Sequence, residues 1–181
     1  MIFTNTALPG AVIVDVERRE DARGHFARTY CAREFEAHGL PTQMVQTNMS
    51  LTRHAGTLRG MHYQLAPHAE DKLVRCVRGA IWDAIIDIRP DSPTYCQWTG
   101  VELSETNGRM LLVPKGFAHG FVTLTDDAAV TYQVSAFYAP QSERGLRHDD
   151  PAFAIDWPVP VQDSSDKDRS WPAFSREGVA A

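Results

Sequence analysis

The stretch KLVRCVRGAIWDAIIDIRPDSP (72–93) decides the fold. It contains two largely apolar segments, 72–79 and 80–89, and each has the pattern of a strand. The turn signal Pro90-Asp91-Ser92-Pro93 ends the second segment. Comparable segments lie on both sides of this stretch, at 11–17, 25–30, 42–50, 57–65, 96–103, 109–114, 119–124 and 128–138. Turn signals that recur about every 8–12 residues predict an all-β fold, an antiparallel sandwich or barrel.

One segment has the clear pattern of a helix. AREFEAHGL (32–40) places the apolar Phe35 among charged residues, and Gly39 is suited to cap the C-terminus of this helix. After residue 139 the sequence instead carries scattered prolines and the tryptophans Trp157 and Trp171. We expect this tail to wrap over the barrel, so that residues 1–181 form a single domain.

The composition is that of a soluble globular protein, with 181 residues of which 43% are hydrophobic and 23% charged. A formal net charge of -5 argues against a general nucleic-acid or membrane-surface binder. Three cysteines without a CxxC spacing argue against a disulfide framework or zinc knuckle and favour a reducing compartment. No segment resembles a signal peptide or the run of ~20 apolar residues that spans a bilayer. We therefore expect a cytoplasmic protein.

Positive charge is nevertheless concentrated in one part of this acidic chain, at Arg53, Arg59, Lys72, Arg75 and Arg78. Such a stretch can keep cations in a pocket for an anionic small molecule. Solvated strand faces would give the same pattern, so charge alone leaves both interpretations open.

The segment Pro114-Lys115-Gly116-Phe117-Ala118-His119 has the spacing PxGxxH, which resembles the second cupin motif. The first cupin motif normally supplies HxH, and here it reads His62-Tyr63-Gln64, with one imidazole lost. His62, His119 and Glu70 could still form a site of two histidines and one carboxylate, as in iron oxygenases. Because glutamine is a poor ligand for such metals, we expect no metal and no other cofactor.

Longer motifs make the resemblance specific. They are LRGMHYQ (58–64), KLVRCVRGAIWDAIIDIRPDSPTY (72–95), VPKGFAHGF (113–121), YQVSAFYAPQSERGLRHDDP (132–151) and SDKDRSWP (165–172). In this order they resemble the dTDP-4-dehydrorhamnose 3,5-epimerase family, from about Val12 to Trp171. The resemblance implies a cupin-type jelly roll, a homodimer without a metal, and a nucleoside-diphosphate 4-keto-6-deoxyhexose as substrate.

The resemblance also implies catalytic roles. His62 would be the base, with Asp168 of the tail fixing its tautomer, and Tyr132 would be the acid on the opposite face of the sugar. Lys72 would lie near the carbonyl oxygen and stabilise the enolate. From the residues alone, a buried structural histidine, an exposed lysine and a core tyrosine remain the alternatives. Lys72 shares strand parity with Val74 and Cys76, which mildly favours an inward position.

Further positions match family residues that contact the nucleotide or the sugar. They are Arg23, Phe26, Gln46, Asn48, Arg59, His119, Tyr138, Glu143 and Lys167, with Tyr138 stacking on the nucleobase. A solvated polar face is the alternative for Gln46 and Asn48, which share strand parity. Arg59 and His62 have opposite parity, so both reach one pocket only if the strand bulges, and Gly60 is the obvious place.

The sequence departs from the family at Arg28, where a glutamate usually contacts the base. A carboxylate can accept the N3–H of thymine, whereas a guanidinium has only donors. Arg28 is therefore included among the substrate-binding candidates, with the hypothesis that the enzyme prefers another nucleotide, for example a CDP-linked sugar. The alternative is that Arg28 makes only a surface salt bridge.

The leading functional prediction is an epimerase acting on carbon 3, carbon 5 or both of a dTDP-linked 4-keto-6-deoxy sugar, in deoxysugar biosynthesis of the rhamnose type. A metal-dependent cupin oxygenase or isomerase is a second class, and metal analysis separates the two. A non-catalytic sugar-binding cupin is a third class, disfavoured because candidates for base, acid and enolate stabiliser are all present. The predicted partners are the nucleotide sugar and a second copy of the chain, without nucleic acid or membrane.

Overall fold

The computed structural model describes residues 1–175, and strands are its main regular elements. In chain order the strands are β1 (Ile2–Asn5), β2 (Val12–Asp15), β3 (Arg19–Asp21), β4 (Gly24–Phe26), β5 (Gln46–Thr52), β6 (Thr57–Gln64), β7 (Lys72–Arg78), β8 (Ala80–Asp87), β9 (Trp98–Ser104), β10 (Met110–Val113), β11 (Phe117–Thr123), β12 (Ala128–Val134), β13 (Glu143–Gly145) and β14 (Asp163–Ser164). The helices are α1 (Ala32–Ala37) and α2 (Asp166–Arg169), with a 3-10 turn at Pro140–Ser142. Within residues 1–175, neither α-helix is long and apolar enough to cross a membrane. The all-β prediction is confirmed.

The strands form two large sheets. Sheet I has the order β1-β2-β10-β7-β12-β5, and sheet II has the order β13-β6-β11-β8-β9, with β14 added in parallel beside β6. The neighbours within each sheet are mostly distant in sequence, as in the Greek-key connections of a jelly roll. Strands β3 and β4 form a separate hairpin.

Alternation along the strands explains how the two sheets pack. Val74 and Cys76 of sheet I meet Ile81 and Ile85 of sheet II in the core between the sheets. The outer face of sheet I is covered by Phe35 of α1. The outer face of sheet II is covered by side chains from the tail, Leu146, Phe153, Ile155 and Trp157. The residues after 139 therefore extend over the barrel, as their composition predicts.

Two predicted strands end four residues before the sequence pattern indicates. Of the segment 25–30, only the first two residues are in a strand, the exposed β4. The segment 128–138 leaves the strand after Val134, where the backbone N–H of Asp71 is accepted by the Ser135 hydroxyl and not by its backbone carbonyl. Tyr138 therefore lies in a loop and not on the strand face that carries Tyr132. The predicted helix also stops early, at Ala37, and Gly39 caps it with a φ of +68°.

The turn after β8 is held by one buried carboxylate, which gives a stability prediction. Asp87 accepts hydrogen bonds from the Arg89 side chain and from the hydroxyls of Ser92 and Thr94. Burial alone would raise the pKa of Asp87, but these donors outweigh burial and lower the pKa to about 2 from 3.8. A carboxyl whose folded-state pKa is depressed stabilises the fold above its unfolded pKa, by about 2 kcal/mol here, and this contribution disappears as the pH falls through 2.

Asp87→Asn is therefore expected to lower the free energy of unfolding by about 2 kcal/mol at pH 7. The measurement is the urea midpoint of both proteins at pH 7 and pH 3, at one protein concentration. The difference between them should shrink at the lower pH. Equal midpoints at pH 7 would contradict the stabilising role of this carboxylate.

Candidate active site

A β-bulge in β6 brings two predicted site residues to the same side of sheet II. Gly60 and Met61 together lie opposite Gly120 of β11, so Arg59 and His62 both point between the sheets. Gly60 has a φ of +134°, and a Cβ at this position would lie 2.4 Å from the Cα of Gly120. A side chain cannot be accommodated there, and the bulge that strand parity predicts is present.

A cavity of about 780 Å³ opens between the sheets at this point, within the size range of ligand pockets. All the predicted site residues except Arg23, Phe26 and Arg28 line it, namely Gln46, Asn48, Arg59, His62, Lys72, His119, Tyr132, Tyr138, Glu143, Lys167 and Asp168. Sheet I, sheet II and the tail each contribute to this set.

His62 and Asp168 form a hydrogen-bonded pair in the cavity wall. The His62 Nε2 lies 2.6 Å from Asp168 Oδ1. Because an ionised carboxylate only accepts hydrogen bonds, Nε2 carries the proton, and Nδ1 keeps a lone pair that can accept another. The His62 side chain is 31% exposed and its partner only 5%. The imidazole is thus accessible while its orienting carboxylate is shielded.

The electrostatics of Asp168 keep it ionised. Burial alone would raise the pKa of this carboxyl, but the hydrogen bond from His62, the charge of the imidazole and the backbone N–H of Gly60 outweigh burial and lower the pKa. An ionised Asp168 stabilises the imidazolium that forms when His62 takes up a proton.

The tail reaches this position through local structure that its sequence dictates. Strand β14 pairs in parallel with the start of β6, with Ser164 opposite Leu58. Ser165 then caps the short helix α2 by accepting the backbone N–H of Asp168 at 3.1 Å. Pairing and capping together fix the Asp168 side chain beside His62.

Tyr132 faces the cavity from the other sheet. It lies on β12 of sheet I, opposite Asn48 of β5 and Val74 of β7. Burial raises the pKa of this phenol first, the Glu70 carboxylate raises it further, and Arg59 opposes the shift. A half-buried phenol with a raised pKa remains protonated at neutral pH and can donate a proton.

The cations of the cavity differ in their partners. Lys72 lies 3.3 Å from Glu70, and Lys167 lies 2.6 Å from Glu143. Arg59 instead donates to the Thr52 hydroxyl and the Leu51 carbonyl. Among residues 1–175, Arg59 is therefore the cavity cation without a carboxylate partner, and its charge is the least compensated. The rest of the basic stretch, Arg53, Arg75 and Arg78, does not line the cavity.

A polar rim connects the loop that carries Tyr138 to the cavity. The Gln46 Oε1 accepts the backbone N–H of Tyr138, and the Tyr138 hydroxyl donates to Glu143 at 2.7 Å. Burial would raise the pKa of Glu143, but hydrogen bonds from Lys167 and Tyr138 lower it. The Tyr138 ring itself is 58% exposed, so its face is open to a ligand.

Several further residues line the cavity, and Ser50 and Glu70 are two polar ones that the sequence does not assign to substrate binding. Ser50 continues the parity of Gln46 and Asn48, and its buried hydroxyl has no hydrogen-bond partner among residues 1–175. Parity could have identified it. Glu70 lies in the loop before β7, where no periodicity predicts the direction of a side chain, and the sequence indicates it only as a possible metal ligand.

The structure does not bring Arg23, Phe26 and Arg28 into the cavity of their own chain. Arg23 pairs with Asp21 in the exposed hairpin, and Arg28 pairs with Glu34 at 2.9 Å. Phe26 is 66% exposed. The surface salt bridge that was the alternative for Arg28 is thus present.

The three candidate metal ligands do not form a metal-binding group in the described part of the chain. His62 Nε2 is bonded to Asp168, His119 Nε2 lies 2.7 Å from Asp83 Oδ1, and Glu70 pairs with Lys72. Within the described part of the chain, no three His, Cys, Asp or Glu side chains are grouped to hold a metal ion.

Comparison with known families decides the classification of this site. A sequence model described as dTDP-4-dehydrorhamnose 3,5-epimerase matches residues 5–176. The chain belongs to the dTDP-4-dehydrorhamnose 3,5-epimerase family. The predicted family is confirmed, and it is a family of isomerases.

Individual members of the dTDP-4-dehydrorhamnose 3,5-epimerase family match over nearly the whole chain. The epimerase of Sinorhizobium fredii is 42% identical over 175 residues, which cover 96% of this chain and 90% of that protein. The crystal structure of the Bacillus anthracis epimerase with TDP and PPi bound has a TM-score of 0.93 and 42% identity, covering 96% and 99% of the two chains. The Legionella pneumophila epimerase, in complex with dTDP-4-keto-L-rhamnose, has a TM-score of 0.90 and 38% identity, covering 95% and 92%. The cupin-type fold is confirmed.

Proposed function

We propose that this chain epimerises a dTDP-linked 4-keto-6-deoxyhexose at carbons 3 and 5, as a step of rhamnose-type deoxysugar biosynthesis in the cytoplasm. The observation that carries the proposal is the placement of His62 on sheet II and Tyr132 on sheet I, on opposite walls of one cavity. A sugar ring between the sheets would present one face to each residue. Epimerisation requires a proton to leave one face and another to arrive on the other.

The chemistry follows from these groups. The 4-keto group acidifies the neighbouring C–H bonds, and His62 Nδ1 takes a proton from carbon. The electron pair of that bond moves onto the carbonyl oxygen, where the Lys72 ammonium stabilises the enolate by hydrogen bonding. The Tyr132 hydroxyl then protonates the carbon from the opposite face, and the electron pair returns to form the ketone. His62 releases its proton to water and the phenolate recovers one, so the protons balance.

The diphosphate is assigned to Arg59, because this guanidinium has no carboxylate partner among the described residues and has N–H groups to offer phosphate oxygens. Lys167 lines the same cavity but is paired with Glu143. The open face of Tyr138 is assigned to the nucleobase.

Hydrogen exchange tests the proposed reaction directly. The purified protein is incubated with dTDP-4-keto-6-deoxyglucose in deuterium oxide, and NMR follows deuterium at sugar carbons 3 and 5 together with the configuration of the product. Exchange and inversion at both carbons support the proposal. Exchange at one carbon alone would identify a single-carbon epimerase, and no exchange at either carbon would refute epimerisation.

Nucleotide preference is a separate prediction. We expect dTDP to bind more tightly than CDP, because the solved relatives hold TDP or a dTDP-linked sugar and because Arg28, the candidate for cytosine recognition, is engaged by Glu34. Calorimetric titration of the protein with both nucleotides measures this preference, and Arg28→Ala should leave the ratio of the two dissociation constants unchanged. Tighter binding of CDP that is lost in this variant would instead assign base recognition to Arg28.

A homodimer is also part of the proposal. Strand β5 is at the edge of sheet I, and its outward-facing side chains Met49 and Leu51 are 71% and 50% exposed. A second copy would cover this apolar edge, and its exposed hairpin could supply Arg23 and Phe26 to the neighbouring cavity.

Light scattering is expected to give twice the chain mass of 20.2 kDa. Glu substitution of both Met49 and Leu51 should yield folded monomers, because charge on an apolar interface opposes association. The matched control is Glu102→Lys on β9, at the edge of sheet II, which should stay dimeric. A wild-type protein that elutes at the mass of one chain would contradict the dimer.

A further inference from the structure

Glu70 is a cavity carboxylate with a well-defined set of partners. Its Oε1 lies 3.3 Å from the Lys72 ammonium, and the two side chains are only 11% and 10% exposed. Its Oε2 accepts a hydrogen bond of 3.1 Å from the amide of Gln64. A carboxylate with a separate partner on each oxygen has little freedom to rotate.

The ammonium of Lys72 needs such an anchor. A lysine side chain carries its charge at the end of a flexible four-carbon chain. The ammonium therefore has no fixed position unless its N–H groups are engaged by acceptors. Besides Glu70, the described residues offer Nζ the His62 carbonyl oxygen at 3.5 Å. These two acceptors use two of the three N–H groups and leave the third for the ketone oxygen of a bound sugar.

Gln64 extends this support beyond the lysine. Its amide nitrogen also lies 2.9 Å from the His68 carbonyl, and its Oε1 accepts the backbone N–H of Ala139 at 2.6 Å. The anchor of Glu70 is therefore built into β6 and into the segment that follows Tyr138. The carboxylate belongs to the rigid wall of the cavity.

Glu70 also acts on the electrostatics of Tyr132. Several charged or titratable groups line the cavity around this phenol: Arg59, His62 and Tyr63 of β6, Lys72 of β7, His119 of β11, Tyr138 of the loop after β12, Glu143 of β13, Asp163 of β14, Lys167 and Asp168 of α2, and Glu70 itself. After burial, the Glu70 carboxylate is the next cause that raises the pKa of Tyr132, and Arg59 opposes it. A negative charge here disfavours the phenolate.

We propose that Glu70 is a positioning residue of the epimerase, which fixes the Lys72 ammonium toward the substrate ketone. This inference rests on the proposed function. It goes beyond that function by assigning the position of the enolate-stabilising ammonium to one carboxylate.

The test compares Glu70→Gln with Glu70→Asp, using the kinetics of dTDP-4-keto-6-deoxyglucose epimerisation across the pH range. Glu70→Gln keeps the size of the side chain but removes its charge. It should lower kcat by about tenfold through loss of positioning, with little change in KM or in dTDP affinity. The alkaline limb of the kcat profile should also move to lower pH, because Tyr132 loses a neighbouring negative charge. Glu36→Gln, on the exposed side of α1, is the matched control.

Glu70→Asp keeps the charge but shortens the reach, so it should lose part of kcat while its alkaline limb stays close to that of the wild type. A Glu70→Gln enzyme with wild-type kcat and an unchanged alkaline limb would overturn the inference. If Glu70→Gln fails to bind dTDP, Glu70→Asp becomes the deciding variant. A wild-type kcat for Glu70→Asp would then overturn the inference. A wild-type protein without deuterium exchange would instead refute the proposed function, so the two failures are distinguishable.

Discussion

Replacing His62 with alanine is expected to reduce turnover of the dTDP-linked 4-keto sugar roughly 10²–10⁴-fold, the usual contribution of a positioned general base. The nitrogen that accepts the carbon-bound proton is lost, whereas Arg59 and Tyr138, the groups assigned to the diphosphate and the base, are untouched. Deuterium exchange at carbons 3 and 5 should fall by the same factor as product formation. The dissociation constant for dTDP should stay close to the wild-type value.

A second variant separates the base from its orienting group. Asp168→Asn keeps the shape of the side chain but cannot stabilise an imidazolium by charge, and its amide can present N–H to His62 Nε2 in place of an acceptor. Turnover should therefore fall while His62 is still present. His54→Ala, an exposed histidine outside the cavity, is the control and should retain full activity. Normal deuterium exchange in His62→Ala would remove this residue from the mechanism.

Strand periodicity predicts the inward residues of the site well. Lys72 shares parity with Val74 and Cys76, and the structure places all three between the sheets. Parity also places Arg59 and His62 on opposite faces, and that conflict correctly predicts a bulge at Gly60. In each case a local rule suffices, because alternate side chains of a strand point to opposite faces.

Residues whose position depends on distant parts of the chain could not be predicted in this way. Asp168 reaches His62 across 106 residues through the pairing of β14 with β6, and only the family resemblance indicated it. Glu70 lies in a loop, where side-chain direction has no period. Arg23 and Phe26 match the family by sequence but lie outside the cavity of their own chain. Strand periodicity does not predict this position.

The over-long strand 128–138 shows where a pattern misleads. Alternation continues past Val134 into Ala136 and Tyr138, so sequence alone extends the strand. The backbone ladder ends where the Ser135 hydroxyl accepts the backbone N–H of Asp71, a contact between residues 64 positions apart. The loop that follows the strand presents Tyr138 at the cavity rim. The wrong strand boundary therefore mispredicts the position of a site residue.

Tyr132→Phe is expected to separate the two halves of the proposed reaction. Phenylalanine keeps the ring but lacks the hydroxyl that would protonate the enolate from sheet I. His62 can still remove a proton and, because its side chain is 31% exposed, exchange it with solvent and return deuterium to the same face. The sugar should therefore gain deuterium with its configuration retained, while formation of the epimer falls roughly 10²–10⁴-fold.

One NMR time course in deuterium oxide measures both quantities, since deuterium incorporation and inversion give separate signals. Tyr30→Phe removes a hydroxyl that bonds the Thr42 carbonyl outside the cavity, and it should behave as the wild type in both. Unimpaired epimer formation by Tyr132→Phe would exclude the phenol as the acid. Loss of both deuterium exchange and epimer formation would mean that the phenol takes part in proton removal. The assignment of the base to sheet II and the acid to sheet I would then be wrong. Exchange with retained configuration is the outcome that requires a base on one wall of the cavity and an acid on the other.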